Sequence, residues 1–376
     1  MSLAMRSAGY DSLTVVQEVF HINDPADFDR HADSMLVERT NARRIGWLKR
    51  LGLLDYAVFS ALLDDGDIFH FFFDGGFLRR TPLRYLELRL LHLAGKKVIL
   101  MPYGSDAAIP SETMSEAWRA GLLAHYPALA QTEARQRRRI RHFCSQADYV
   151  VTGLVHFETL PRWDLLTIQY YPIDTAAWAP ADGRAVDSDP SLPVVVVHAP
   201  NHRELKGTRA LVDACDALRG EGIAVSLRLL ENVPNAVVHS EMRAADIVAE
   251  QFILGYGLTA IEGMSLGKPV LSNLSDPRYY DRFRSATRFG ECPIVSTTEA
   301  DLTDTLRRLA RDPELRRRIG AASRRYALQE HSYDAMARLW TAVYDRVWWG
   351  SERDPADLLR PNFSSPSNRS GEDPRL

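Results

Sequence analysis

The chain has 376 residues, enough for two domains of ordinary size, and its 45% hydrophobic and 25% charged residues are the balance of a globular protein. A net charge of −3 gives no argument for nucleic acid as a partner, and no apolar run reaches the roughly 18 residues of a spanning helix. The three cysteines, Cys144, Cys215 and Cys292, are far apart. They predict buried thiols in a reducing, cytoplasmic compartment, not a disulfide framework or a metal cluster.

Helical and strand-like patterns alternate along the first half of the chain. In chain order they predict a helix closed by a glycine at 5–10, a strand at 13–19, helices within 26–50 and 51–63, a strand at 68–73, a helix at 84–94, and strands at 97–101 and 147–151. Asp64-Asp65-Gly66-Asp67 precedes the aromatic strand at 68–73. These are turn residues, and a metal-binding pair of aspartates is the alternative interpretation.

Two segments of the first half carry candidate functional residues. The strand at 97–101 runs into a loop with Tyr103, Gly104 and Asp106, of which Asp106 is a candidate cap for the next helix. The helix at 133–142 is basic and contains Arg135, Arg137, Arg138, Arg139 and Arg141. Such a helix is either a solvated face or a surface that docks on anionic lipid as a peripheral membrane contact.

The second half follows a segment at 180–193 that is rich in Pro, Asp, Ser and Gly and predicts a linker. Its patterns predict strands at 194–197, 225–230 and 292–295, helices at 209–219, 300–311 and 312–332, a last amphipathic helix at 333–349, and a disordered polar tail at 350–376. Arg203 and Lys206 lie in the loop between the strand at 194–197 and the next helix. Since strands alternate with helices in both halves, we expect an α/β protein with two doubly wound parallel sheets.

The stretch 245–271 holds the strongest signal. A short apolar strand ends in a loop with Gly255, Tyr256 and Gly257, a helix opens at about Leu258, and a second strand follows Gly267 and Pro269. The free N–H groups and the dipole of a helix N-terminus favour phosphate, and glycines let the backbone approach it. Glu262, one turn into the helix, is placed to reach a ribose hydroxyl. An ordinary turn between strand and helix is the alternative.

This stretch resembles the signature of retaining, nucleotide-sugar-dependent glycosyltransferases of the GT-B fold, family four (glycosyl transferases group 1). That signature reads E-G-[FY]-G-x-x-x-x-E-[AG]-M-[AS]-x-G-x-P-V. Gly255-Tyr256-Gly257, Glu262-Gly263-Met264-Ser265, Gly267 and Pro269-Val270 match it, whereas Leu254 stands where the first glutamate is expected. Gln251 fits a branch of the family that reads D-I-V-x-D-Q-x-x-x-G-x-Y-G. The similarity covers most of the chain and is strongest over 194–349.

The resemblance implies two Rossmann-like domains that face a cleft: an acceptor-side domain at 1–179 and a nucleotide-sugar-binding domain at 194–349, whose last helix, 333–349, crosses back to the first. The family's first strand and glycine-rich loop should precede 5–10 and are absent from the sequence. Either the chain starts late, or it is a family member with a simplified first unit.

The resemblance also implies roles for particular residues. Lys206, with Arg203 as the weaker match, would neutralise the leaving diphosphate as the catalytic pair. The donor would be bound by Gly255, Tyr256, Gly257, Leu258, Glu262 and Gln251. Tyr103, Gly104 and Asp106 would lie on the acceptor side, where the family often has His-Gly-x-Asp, so Tyr103 replaces the histidine.

The implied function is transfer of a sugar from a nucleotide-diphosphate sugar to a hydroxyl of a glycan, lipid or small molecule, with retention and without metal or cofactor. An acceptor in cell-surface polysaccharide is a family-level expectation. The rival hypothesis is a non-catalytic GT-B-like shell that binds a nucleotide or a protein partner, since Leu254, Tyr103 and the absent first unit all depart from the family. An epimerase or phosphorylase is a second rival, but phosphorylases are much longer.

Overall fold

A computed structural model describes residues 1–19, 28–39, 42–181 and 192–360. The predicted linker at 180–193 therefore lies largely outside the described residues, as do parts of the predicted helix at 26–50. The elements of the first half are α1 (Ser2–Ser7), β1 (Val15–Val16), β2 (Arg30–His31), α2 (Ala32–Arg39), α3 (Ala42–Arg50), α4 (Leu54–Asp65), β3 (Ile68–Phe71), α5 (Glu87–Leu93), β4 (Lys97–Leu100), α6 (Glu116–His125), α7 (Ala128–Gln146), β5 (Tyr149–Thr152) and β6 (Leu165–Leu166).

The second half begins with the buried valine strand that the sequence predicts. Its elements are β7 (Val194–His198), α8 (Arg203–Lys206), α9 (Thr208–Gly220), β8 (Val225–Leu229), α10 (Asn235–Ala244), β9 (Ile247–Gln251), α11 (Leu258–Ser265), β10 (Val270–Ser272), α12 (Pro277–Ala286), β11 (Val295–Ser296), α13 (Leu302–Arg311), α14 (Pro313–Glu330) and α15 (Tyr333–Trp349).

Each half is built on its own parallel sheet. The sheet of the first half has the order β3-β4-β5-β6, and β5 is buried along its whole length. The sheet of the second half has the order β8-β7-β9-β10-β11, and each neighbouring pair in it is parallel. Parallel strands are buried on both faces, which is why the sequence shows them as continuous apolar runs. The expected α/β architecture is confirmed.

The strand predicted at 13–19 is much shorter in the structure. Only Val15 and Val16 pair, with β2, in a separate two-stranded parallel sheet. The carboxylate of Asp29 accepts hydrogen bonds from the Thr14 N–H and hydroxyl, both at 2.7 Å. A side chain that takes backbone donors in this way competes with strand pairing, so the ladder ends there.

The last helix, α15, packs on the first half of the chain. On α15, Met336, Leu339, Trp340 and Val343 share a buried cluster with first-sheet residues, which include Ile99, Met101, Tyr149 and Val151. The prediction of a disordered tail from 350 is wrong for its first part. Residues Pro355–Leu359 form a 3-10 helix, in which the Asp354 carboxylate accepts from the Ala356 N–H and Leu359 is buried. Residues 361–376 lie outside the described residues.

None of the described helices is both long and apolar enough to cross a bilayer.

Candidate active site

The strand order of the second sheet locates the candidate site. β7 lies between β8 and β9, so the chain leaves β7 in one direction along the sheet and later continues from β9 in the other. In open parallel sheets, ligands bind beyond the carboxyl ends of the strands at this switch point. The segments that follow β7 and β9 are those that carry Lys206 and the glycines of the 245–271 stretch.

The loop after β9 is held in place by its own polar groups. The Gln251 side-chain amide donates to the Leu254 carbonyl oxygen at 2.6 Å. The Gly255 N–H donates to the Tyr280 hydroxyl and the Asn273 carbonyl, both at 2.9 Å. Gly255 has φ +81°, and a Cβ there would lie 3.0 Å from a Leu154 methyl group. Both the backbone angle and the space therefore favour glycine at this position.

The loop ends at the N-terminus of α11, as the sequence predicts. Gly257 is the N-cap, and no side chain caps the helix. Among the described residues, no hydrogen-bond partner is recorded for the N–H groups of Leu258 and Thr259. Unpaired N–H groups at a helix N-terminus attract anions. By contrast, the Tyr256 side chain lies in the core, with its hydroxyl 3.3 Å from Nε2 of His331. Tyr256 therefore contributes only its backbone to the surface of this loop.

Lys206 reaches the same place from the segment after β7. Its loop contains one turn of helix, α8, which the sequence did not predict and which is closed by the Lys206 N–H to the His202 carbonyl oxygen at 3.0 Å. The next residue, Gly207, has φ +68°, and a Cβ there would lie 2.9 Å from the Glu299 carboxylate. The Lys206 ammonium forms an ion pair with the carboxylate of Glu250, near the end of β9.

The sequence indicates Glu250 only as one of two replacements, with Gln251, for the carboxylate missing at Leu254, and it does not predict the pairing of Glu250 with Lys206. Glu250 is buried, it accepts a hydrogen bond from the Ser272 hydroxyl at 3.3 Å, and its Oε1 would lie 3.5 Å from a Cβ placed on Gly257. The carboxylate therefore lies between the Lys206 ammonium and the N-terminus of α11. The available signal was a glutamate that interrupts an otherwise apolar strand directly before Gln251.

Arg203 and Leu254 take no part in the contact between Lys206 and Glu250. Arg203 is an exposed residue whose guanidinium forms a two-pronged ion pair with Glu231, one contact being 2.6 Å from Nε to Oε1. Leu254 is buried in the hydrophobic core of the second half. Whether Arg203 touches a ligand stays a prediction.

Glu262 lies on α11 as expected, but it is buried. Burial raises the pKa of its carboxyl to about 8, and no described residue hydrogen-bonds it. Since nothing in the described chain offsets the desolvation of the charged form, the carboxyl is mostly protonated at neutral pH in the free protein. A hydrogen-bond donor on a ligand would stabilise the ionised form of the Glu262 carboxyl.

The predicted acceptor-side residues lie at the carboxyl end of the first sheet. Tyr103 is exposed, with its ring 5.1 Å from that of Phe72. The Gly104 carbonyl accepts from Nε2 of His156 at 2.8 Å. Asp106 does not cap a helix. Its buried carboxylate accepts from the N–H groups of Tyr103 and Phe73, both at 2.8 Å, so it ties the ends of two strand loops together, and burial raises its pKa to about 7.

Hydrogen bonds join the two halves of the chain beside these loops. The Tyr279 hydroxyl accepts from the Ser115 N–H at 3.0 Å and donates to the Glu158 carboxylate at 2.9 Å. The Gln169 amide donates to the Tyr256 carbonyl oxygen at 2.5 Å. Side chains of both halves therefore hold the two halves of the chain together by hydrogen bonds.

The aspartate turn before β3 has an ordinary structural role. Asp64 and Asp65 end α4, and Asp67 pairs with Lys96 at 3.4 Å. Within the described ranges, no group of three or more His, Cys, Asp or Glu side chains is arranged to hold a metal ion.

Comparison with solved structures gives the class of the fold: it is GT-B, with two Rossmann-like domains that face a cleft. Sucrose-phosphate synthase from Thermosynechococcus elongatus aligns with a TM-score of 0.52 and 13% identity over 79% of each chain. HepE from Anabaena in complex with UDP aligns with a TM-score of 0.52 and 14% identity, over 79% of this chain and 83% of HepE. A HepE complex with UDP-glucose gives a TM-score of 0.51.

Comparison of sequences finds one weak match. The MMP alpha-(1->4)-mannosyltransferase of Mycolicibacterium hassiacum is 24% identical over an alignment of 258 residues, and the match covers 61% of this chain and 60% of that relative. The match thus spans less than two thirds of the relative. No family model matches the chain.

Proposed function

We propose that this protein is a glycosyltransferase that moves a sugar from a nucleotide-diphosphate sugar to a hydroxyl acceptor. The observation that carries the proposal is the convergence of Lys206 and the unpaired N–H groups of α11 at the switch point of a GT-B fold. The HepE structures with UDP and UDP-glucose support a nucleotide donor of this class. The mannosyltransferase match supports a hexose as the transferred group.

Cleavage of the sugar–phosphate bond places negative charge on the departing diphosphate. Lys206 and the N–H groups of Leu258 and Thr259 would neutralise that charge, so the mechanism we propose needs no metal ion. Arg203 is the weaker candidate for this role, because it is exposed and its partner Glu231 does not belong to the contact between Lys206, Glu250 and the N-terminus of α11.

The nucleotide would be oriented by Glu262, whose carboxyl would accept hydrogen bonds from the ribose hydroxyls. Binding would then favour the ionised carboxylate, which burial in the protein alone disfavours. The backbone of Gly255 and Gly257 would let the diphosphate approach the chain closely.

Glu250 is the carboxylate that we propose faces the transferred sugar in place of the one missing at Leu254. Gln251 is the weaker candidate, because its amide donor is used by the Leu254 carbonyl oxygen. We propose retention of configuration, with the departing phosphate taking the proton of the acceptor hydroxyl on the same face of the sugar. No protein nucleophile is then required.

A thermal-shift screen with nucleoside diphosphates and their sugars, in EDTA, tests the donor site. A ligand that binds only the folded state at a hundredfold excess over its Kd adds about 2.7 kcal/mol of stability. We expect a shift with one base that is lost in Lys206→Ala and Glu262→Ala. Donor hydrolysis by the wild type then tests catalysis: a shift without any hydrolysis or transfer would favour the non-catalytic shell. The anomeric configuration of the product, read by NMR, tests retention.

A further inference from the structure

A second candidate site lies outside the donor site, in the first half of the chain. A pocket of about 280 Å³ is bounded by the segment after β3 and by α7, and its lining includes Asp74, Arg79, Arg84, Arg135 and Arg139. Pockets for whole small-molecule ligands span roughly 300–1,000 Å³. This pocket lies just below that range, so it has room for a small anion or for one group of a larger ligand.

The charge of the lining is strongly unbalanced. Four arginines face one carboxylate, that of Asp74, which lies 3.3 Å from Nη2 of Arg139. No ion pair is recorded between any described carboxylate and Arg79, Arg84 or Arg135. Arg135 and Arg139 are four residues apart on α7, a spacing at which like charges repel. An anion in the pocket would relieve that repulsion.

These arginines differ from the other basic side chains of the same helix. Arg137 is not available, because it is paired with Glu112 at 2.7 Å and with Glu133 at 2.8 Å. Arg138 and Arg141 are exposed and do not line the pocket. The basic helix is therefore neither a uniformly solvated face nor a uniform docking face, since two of its arginines converge on one cavity.

The pocket shares a wall with the predicted acceptor loop. The Gln136 amide, in the lining, donates to the carbonyl oxygens of Ser105 and Ala108, both at 2.8 Å. Nη2 of Arg139 donates to the carbonyl oxygen of Asp106 at 3.1 Å. A molecule held by the pocket would thus extend along the loop that carries Tyr103 and Gly104.

We propose that this pocket binds an anionic group, phosphate or carboxylate, of the acceptor molecule. The guanidinium fork matches both groups through paired hydrogen bonds, and several arginines around one cavity favour a multiply charged phosphate. The identification of the bound molecule as the acceptor rests on the proposed glycosyltransferase function. The anion site itself is a separate claim that is tested separately.

Inorganic phosphate is the first probe, titrated calorimetrically into the full chain. In Arg79→Gln/Arg135→Gln we expect phosphate affinity to fall by roughly a hundredfold, about tenfold for each charge-assisted contact. The matched control, Arg138→Gln/Arg141→Gln, removes the same charge and should keep its affinity. Asp74→Asn should bind phosphate more tightly, because it removes the only carboxylate of the pocket.

The proposed donor site should also bind phosphate, so a variant that lacks the Lys206 charge is used to separate the two sites. In Lys206→Met/Glu250→Gln the phosphate binding assigned to the arginine pocket should persist. Equal affinity in the two arginine double variants, or loss of binding only in the Lys206 background, would overturn the proposal. Failure of nucleoside diphosphates to bind would instead count against the proposed function and leave the anion site standing.

Two further probes distinguish the source of the anionic group. If it is a lipid headgroup, vesicles of phosphatidylcholine with phosphatidate should sediment the wild type and the control variant but not Arg79→Gln/Arg135→Gln. If it belongs to a water-soluble acceptor, glycerol phosphate should bind with the same dependence on Arg79 and Arg135, and the vesicles should not sediment the protein. If Arg79→Gln/Arg135→Gln keeps both vesicle binding and glycerol phosphate binding, the proposal is contradicted.

Discussion

The ammonium group of Lys206 and the carboxylate of Glu250 form an ion pair between the segment after β7 and the end of β9. The Glu250 side chain is 1% exposed and that of Lys206 is 16% exposed. In a surface pair, water would screen the loss of one partner. Here the remaining charge stays buried, so this pair links the stability of the fold to the chemistry of the site.

Lys206→Ala should therefore impair both turnover and stability. Loss of its charge should reduce transition-state stabilisation by about 2–4 kcal/mol, or about 30- to 1,000-fold in kcat/KM. Loss of one partner of a buried pair should also lower the free energy of unfolding by about 3–5 kcal/mol. Donor turnover and urea unfolding measure the two effects, and near-full turnover would show that Lys206 has been assigned the wrong role.

The double variant Lys206→Met/Glu250→Gln separates those effects. It removes both charges and keeps similar volumes, so it should recover most of the wild-type free energy of unfolding. It should not recover turnover, because the group that faces the leaving diphosphate is still missing. Recovery of activity along with stability would mean that Lys206 acts only as a structural partner of Glu250.

Donor affinity should depend on pH through Glu262. Its pKa is raised to about 8 by burial, so at pH 7 donor binding through a carboxylate must release a proton. Affinity for a nucleoside diphosphate should rise about tenfold between pH 7 and 9, a range in which its phosphates are already ionised. Glu262→Gln should bind more weakly at pH 9 and show a flat profile. Calorimetry in buffers of different ionisation enthalpy would detect the released proton.

Without ligand, Glu262→Gln should have the opposite effect on the fold. The folded pKa of Glu262 is raised, so ionisation favours the unfolded chain as pH increases from about 4.5 to 8. The amide is not subject to that loss, and the variant should unfold at a higher urea concentration than the wild type at pH 8. A lower midpoint at that pH would show that the carboxyl is ionised and well solvated.

His198 should make the second half sensitive to acid. Because the Ala249 carbonyl can only accept, Nδ1 of His198 carries the proton and donates at 2.8 Å, and Nε2 accepts from the Thr208 hydroxyl at 2.9 Å. Burial lowers the pKa to about 4. The unfolded chain, with a pKa near 6.5, binds a proton first, so stability is lost as pH falls from about 6.5 to 4, by on the order of 3 kcal/mol.

His198→Asn removes that titration. The difference between the free energies of unfolding of wild type and variant, measured by urea from pH 7 to pH 4, should shrink as pH falls. A difference that stays constant over this range would contradict a neutral, buried imidazole. Glu87 and Asp106 have the opposite effect on stability. Burial raises their pKa values to about 7, so they stabilise the folded chain as pH falls. The wild type and the variant share both groups, so the difference between the two proteins reports on His198.

The contact between the halves through Tyr279 should be measurable as well. Tyr279→Phe leaves the Ser115 N–H and one oxygen of Glu158 without their recorded partner. It should lower the free energy of unfolding by about 1–3 kcal/mol. Tyr56→Phe is the matched control, because no hydrogen bond of the Tyr56 hydroxyl is recorded in the described chain, and it should change stability much less. Equal effects of the two substitutions would argue against the contact.

The parts of the site that were predictable from sequence are local. Gly255, Gly257, Glu262 and Gly267 belong to one strand–loop–helix unit, in which the backbone angles and the helix N-terminus follow from residue type and spacing alone. The parallel sheets of the two halves follow from the alternation of strands and helices along the chain. Both predictions are confirmed in the fold, whereas the roles of the residues stay predictions.

The missed features join residues that are distant in the sequence. Nothing local to Lys206 indicates that Glu250, 44 positions later, neutralises it. Nothing near Asp106 indicates that the N–H of Phe73, 33 positions earlier, donates a hydrogen bond to its carboxylate. The sequence therefore suggested a helix cap, and that expectation is wrong. The pocket arginines were visible as a charge run, but only packing of α7 on the segment after β3 shows which of them converge.

The return of α15 to the first sheet has a consequence for synthesis on the ribosome. Domains generally fold in the order in which they emerge, yet part of the apolar cover of Ile99, Met101, Tyr149 and Val151 comes from residues 336–343. The first sheet thus stays partly uncovered until almost the whole chain has been translated. The half that begins first is completed last, and chaperones that bind exposed apolar strands have that entire interval in which to engage it.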